Sequence, residues 1–197
     1  MPPTPEPSGL WPSPQPLWQA SAEEVVSAVS PRLSGAWRLL LLGDGSPTRH
    51  LQSLTGLAVE VEVICMAPDP NPGAEAPREI AELDPPLLRR QVWLRCGGRT
   101  LAWAESWWNQ REAEHHLQQR NQPIWRSLTA SRAELYREVD GLARVEAPAL
   151  EAGFGCPGPY WSRHYRFFRQ GRELTVIREV FSPLLEEWLG PAEHTAT

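Results

Sequence analysis

Residues 57–64, Leu-Ala-Val-Glu-Val-Glu-Val-Ile, alternate between apolar and polar side chains and are rich in β-branched residues. This period of two predicts a strand with Glu60 and Glu62 turned away from the core. Two further runs, 87–96 and 99–108, flank Gly97-Gly98, and a two-residue Gly-Gly link between such runs reads as a hairpin. A second hairpin is predicted for 160–169 and 173–182 around Gln170-Gly171, and 142–147 reads as a short strand. Helix signals lie between these segments. Ser21-Ala-Glu-Glu24 is a capping box opening a short helix that Pro31 stops, and residues 33–42 end in four leucines and read as helix or buried segment. Asn109, with Glu112 three residues on, caps a polar surface helix over about 110–120, and Ser131-Arg-Ala-Glu134 opens another reaching about residue 139. Residues 43–48, 67–77 and 153–159 read as loops.

The expected fold is therefore α+β: a mainly antiparallel sheet of five or six strands with helices grouped around it. Residues 1–17 are dense in proline and read as a flexible arm, 18–190 as a single domain and 191–197 as a frayed tail.

Composition narrows the chemistry. At 197 residues and 41% hydrophobic content the chain can build one real core. No apolar run approaches the ~18 residues a membrane span needs, and the start lacks the pattern of a secretory signal. All 19 basic residues are arginine, which excludes Schiff-base lysine chemistry and a P-loop lysine. A net charge of −5 without a basic stripe argues against nucleic acid. Cys65, Cys96 and Cys156 are widely spaced, and no zinc pattern appears; reduced thiols in the cytoplasm are the expectation. No G-x-S-x-G elbow or Gly-rich dinucleotide loop is present. Ten tryptophans read as core filling, His164 as structural, and Glu186-Glu187 as a solvated face.

Charges that break the apolar pattern are more informative. Alternation puts Arg90 on one face with Val92, Leu94, Leu101, Trp103 and Trp107. A buried guanidinium needs a partner. Counting back from the Gly-Gly turn sets Arg90 opposite Glu105, so a structural salt bridge is one reading; an anion held in a pocket is the other. Glu179 falls between Ile177 and Phe181, where burial raises a carboxyl pKa unless a cation offsets it. Arg90 is a candidate for that cation, and so is a shared ligand.

The stretches Leu88-Arg-Arg90-Gln-Val-Trp-Leu94, Gly97-Gly98, Pro123-Ile-Trp-Arg126 and Arg178-Glu179-Val-Phe-Ser-Pro183 resemble, in order and spacing, the chorismate lyase (chorismate–pyruvate lyase) family over roughly residues 33–185. Ala-Glu-Ser-Trp-Trp-Asn109 looks closest to its cyanobacterial branch. The resemblance implies a six-stranded antiparallel sheet, with helical lids over a buried site. It implies conversion of chorismate to 4-hydroxybenzoate and pyruvate for plastoquinone or ubiquinone biosynthesis, without cofactor or metal. The partners it implies are substrate and product alone, with no nucleic acid and no membrane insertion, and a monomeric state in the cytoplasm. By motif, the anion-binding Arg falls on Arg90 and the site Glu on Glu179. Backbone groups fall on Ile124 and near Pro47 or Thr48; Pro47 has no N–H to donate. Arg90 is expected to clamp a carboxylate, and Glu179, partly protonated, to donate to the para oxygen. Family members often carry Arg where Glu105 stands; if that Arg helps bind the dianion, Glu105 alters part of the pocket, and the other reading is that Glu105 orients Arg90 from outside it. The alternative is a non-catalytic domain of the same fold that senses small aromatic acids. A regulator of that kind would want a DNA-binding winged helix, for which residues before 33 leave no room.

Overall fold

The computed structural model describes residues 9–25, 33–124, 128 and 135–193. Seven strands form one sheet: β1 (Gln15–Ser21), β2 (Val59–Pro68), β3 (Leu87–Cys96), β4 (Arg99–Asn109), β5 (Tyr136–Glu146), β6 (Tyr160–Arg169) and β7 (Arg172–Phe181). Their order is β1-β5-β6-β7-β4-β3-β2, and every neighbouring pair is antiparallel. Four helical segments are α1 (Ala22–Glu24), α2 (Gly35–Leu42), α3 (Pro47–Thr55) and α4 (Gln110–His116); short helices also cover 148–154 and 186–189.

Both predicted hairpins form, for the reason their turns suggest. Gly97 and Gly98 take positive φ of 55° and 78°, and Gln170 and Gly171 take 51° and 74°. Two consecutive positive-φ residues match the twist of the flanking strands. The capping box at Ser21 is also present, with Ser21 Oγ accepting from the Glu24 amide and the Glu24 carboxylate accepting from the Ser21 amide.

The differences from the sequence reading have identifiable causes. The seventh strand, β1, comes partly from the proline-dense segment expected to be an arm. It pairs with β5, and upstream of it the Gln91 side chain takes both the amide and the carbonyl of Trp11, at 2.8 and 3.0 Å. Proline is admissible in β1 because β1 is an edge strand. The expected tail is packed at its start: Ala192 is buried and its carbonyl accepts from Ser34 N. The loop expected through Thr48 ends at Ser46, because Pro47 takes the first helical position of α3, where its missing N–H costs nothing. The helix expected to reach residue 139 is strand from Tyr136 onward, and its cap, 131–134, lies outside the described residues. Residues 148–154, between the strand predicted at 142–147 and the loop predicted at 153–159 and overlapping the start of that loop, are a helix whose Gly153 lies against the Trp93 indole; a Cβ there would come within 2.4 Å of it.

One register difference matters most. β3 and β4 start in register at Cys96–Arg99, but Leu94 pairs with Ala102 and Arg95 with Thr100, so Leu101 is an extra residue, a bulge. A one-residue slip turns every later side chain to the other face. Arg90 therefore stands opposite Ser106, and Glu105 opposite Gln91.

The two faces now separate. On one, α2 and α3 pack Trp37, Leu40, Leu41 and Leu51 over Val92, Leu94, Ala102 and Phe181. On the other, Trp93, Trp103, Phe154 and Tyr160 form an aromatic cluster. Beside that cluster Glu105 accepts from Arg89 Nε at 2.8 Å, Gln91 Nε2 at 3.3 Å and Arg178 Nε at 2.6 Å. Its carboxylate is thus spent on the far face and does not orient Arg90.

A second charge cluster predicts pH behaviour. Arg166 binds Asp140 at 2.6 Å, Glu82 at 3.2 Å and Glu138 at 3.5 Å. Burial, together with Glu82 and Asp140, raises the Glu173 carboxyl to about 7 against the pull of Arg166. The fold thus holds a proton there that the unfolded chain releases near its ordinary value of 4.5. Stability is expected to fall as pH rises from there through about 7. Glu173→Gln is expected to stabilise by about 1 kcal/mol at pH 8, after allowing for solvent screening, and not at pH 4. Urea titrations at the two pH values check this.

Candidate functional site

A pocket lies between the α2–α3 face of the sheet and the segment that carries Pro123 and Ile124. Its floor is apolar or small, from Val92, Leu94, Ala104 and Ile177. Arg90, Glu179, Ile124, Pro47 and Thr48, which the sequence motifs single out from four separate segments, all line it.

Arg90 is 3% exposed. Its Nη2 donates to the carbonyls of Arg120, at 2.5 Å, and Gln122, at 3.4 Å; its Nε is buried without a partner. Burial lowers its pKa to about 10. Among the described residues no carboxylate forms an ion pair with it. This removes the salt-bridge reading and leaves a desolvated guanidinium, its Nε without a partner, in a pocket wall. Such a group stabilises an anion that enters the pocket.

Glu179, 1% exposed, is held differently. One oxygen accepts from Arg163 Nε at 2.7 Å and the other from Tyr165 Oη at 2.7 Å. The offsetting cation is therefore Arg163, not Arg90. Arg163 also donates to the carbonyls of Leu40 at 2.8 Å, Gly43 at 2.9 Å and Gly45 at 3.2 Å. It ties Glu179 to the C-terminal end of α2, where a cation is favoured, and fixes the turn leading to α3. Burial pushes the Tyr165 phenol well above its ordinary value, with the Glu179 charge adding to this, so Tyr165 remains a donor. Both Glu179 oxygens accept, which corrects the expectation that this carboxyl donates.

At the remaining wall, Ser46 Oγ lies 2.9 Å from Thr48 Oγ1 at the first turn of α3. Sequence reasoning missed Arg163, Tyr165 and Arg137, which also lines the pocket. The alternation of 160–169 carried the first two: 163 and 165 share a face, and β6 pairing sets Arg163 opposite Glu179. Among the described residues no cluster of three His, Cys, Asp or Glu side chains is arranged to hold a metal, and no helix is long and apolar enough to cross a membrane.

Comparisons with known proteins agree with this architecture. Residues 41–189 match the family described as Chorismate pyruvate-lyase Rv2949c-like. The uncharacterized protein ycf21 of Porphyra purpurea is 33% identical over 153 residues, 77% of this chain and 83% of that protein. Its counterpart in Cyanophora paradoxa is 27% identical over 172 residues, 86% of this chain and 89% of that one. In fold, the chain is similar to the effector domain of PhnF from Mycobacterium smegmatis, with a TM-score of 0.54 at 13% identity, covering 73% of this chain and 91% of that one.

Proposed function

The chain belongs to the Rv2949c-like chorismate pyruvate-lyase family, and from that premise we propose that its pocket eliminates pyruvate from chorismate to give 4-hydroxybenzoate. The observation that carries this reading is Arg90: a buried guanidinium with an unpartnered Nε, in an apolar pocket that also holds Glu179.

The ring carboxylate of chorismate binds the Nε edge of Arg90, which suits a planar anion. The backbone at Ile124 and the first turn of α3, with the positive end of its dipole, support the same group; Pro47 contributes no N–H. An ionised carboxylate has about four acceptor positions. Arg163 and Tyr165 take two of Glu179's, and the ring 4-hydroxyl donates to another. In the reaction the C3–O ether bond breaks and the C4 hydrogen leaves as a proton. The C3–C4 double bond completes the aromatic ring, and the departing enolpyruvate gains a proton at its methylene to become pyruvate. The step is redox-neutral and balances without a co-reactant. Aromatisation drives it, so the protein's task is to hold the reactive conformer and exclude water. The family resemblance supports a monomer acting in the cytoplasm, its product used for quinone biosynthesis.

Following the conversion of the chorismate diene into an aromatic ring by ultraviolet absorbance tests the reading. Conversion well above the uncatalysed rate is expected. Background rate alone would overturn it, and 4-hydroxybenzoate binding without turnover would favour the sensing alternative. Glu179→Gln is expected to lower kcat/KM by about 10- to 100-fold, the worth of a hydrogen bond to a charged group. Unchanged steady-state kinetics would remove Glu179 from the site.

A further inference from the structure

Chorismate carries two carboxylates, and Arg90 answers for one. The enolpyruvyl carboxylate hangs from C3, next to the C4 hydroxyl given to Glu179. It must therefore lie close to a buried negative charge, and it needs a cation there. Arg163 is not available, because it is committed to Glu179 and to the carbonyls around α2. Among the described residues, the other guanidinium in the pocket lining is Arg137.

Its geometry suits the task. Arg137 lies on β5 opposite Phe167, on the same face as Tyr165 and Glu179. Its guanidinium carbon stands 4.6 Å from the Tyr165 ring centre and 4.5 Å from that of Phe167. The Tyr165 hydroxyl is the one bonded to Glu179. Nη1 donates to the Asp44 carbonyl at 2.5 Å, while Nε is buried without a partner. No described carboxylate forms an ion pair with Arg137. β3 and β5 are four inter-strand spacings apart, about 19 Å, so Arg90 and Arg137 enter the pocket from opposite sides.

We propose that Arg137 binds the carboxylate of the departing enolpyruvyl group and makes the pocket selective for a dianion over a monoanion. This rests on the lyase reading above. Stacked on two rings and anchored to Asp44, the guanidinium is ordered before the ligand arrives, and its Nε edge is the one left for a carboxylate. The same residue joins the ligand to the 43–46 turn, so dianion binding and the position of that wall are linked. It supplies from β5 a charge that β4 lacks, since Glu105 is spent on the far face.

The test uses two unreactive or product ligands besides chorismate: 3-(1-carboxyvinyloxy)benzoate, a dianion, and 4-hydroxybenzoate, which lacks the second carboxylate. Calorimetric affinities are measured for wild type, Arg137→Met, Arg137→Lys and Arg90→Met, with kcat/KM for chorismate beside them. Arg137→Met is expected to weaken the dianion and lower kcat/KM by about 10- to 100-fold, leaving 4-hydroxybenzoate affinity unchanged. Arg137→Lys recovers part of the loss, and guards against a Met variant that fails to fold. Arg90→Met weakens both ligands. Equal weakening of both ligands by Arg137→Met, or of neither, in a wild type that turns over chorismate, overturns the Arg137 assignment alone. A wild type that neither converts chorismate nor binds 4-hydroxybenzoate overturns the lyase reading and this assignment with it.

Discussion

Arg90→Met is expected to lower kcat/KM for chorismate by at least about a thousandfold and to weaken 4-hydroxybenzoate binding while the fold persists. The size follows from two losses. A charge-assisted, two-point contact to the ring carboxylate disappears, worth more than a neutral hydrogen bond. A preorganised positive group in a water-poor pocket also disappears, where one such donor is typically worth ~10²–10³ in rate. The fold is expected to hold because Arg90's own bonds are to two backbone carbonyls, Arg120 and Gln122. Removing a desolvated charge from the interior offsets their loss. Thermal melts beside steady-state kinetics check both halves; a variant that melts early would make Arg90 a structural residue.

Arg163→Met is expected to do the opposite, damaging the fold first. Arg163 is 1% exposed and spends its guanidinium on Glu179 and on carbonyls of Leu40, Gly43 and Gly45. Its loss leaves a buried carboxylate and three carbonyls short of donors. Breaking a buried pair from one side costs about 3–5 kcal/mol, roughly 6–20 °C in Tm for a chain of this length. The double variant Arg163→Met/Glu179→Gln is expected to recover part of that stability, because no charge is then stranded, and none of the activity. A double variant no more stable than Arg163→Met would show that the carbonyl contacts, not the ion pair, carry the effect.

The parts of this fold that the sequence exposes are those where local chemistry and tertiary context agree. Gly97-Gly98 between alternating runs could only be a tight turn, and Arg90 and Glu179 stood out because each is a charge among apolar neighbours. What stayed hidden was hidden for physical reasons. Leu101, Ala102 and Trp103 are all fully buried, so β4 is apolar on both faces there and alternation cannot reveal the bulge. That single residue moved Glu105 from beside Arg90 to the far face. On β6, Ser162, Arg163 and His164 are consecutive polar residues, and nothing local says which of them faces the pocket. Arg137 was masked by a capping-box pattern that suggested helix where β6 instead recruits a strand. α3 was masked by loop-forming residues that also make good helix starts, with Pro47 first among them.

The most direct measurement is the paired yield of pyruvate and 4-hydroxybenzoate from chorismate, for the wild type and for Arg90→Met. Equal amounts of the two products, well above the enzyme-free background, are expected from the wild type, and near-background amounts of both from the variant. Product release by Arg90→Met at the wild-type rate, or wild-type yields no greater than background, would contradict that expectation.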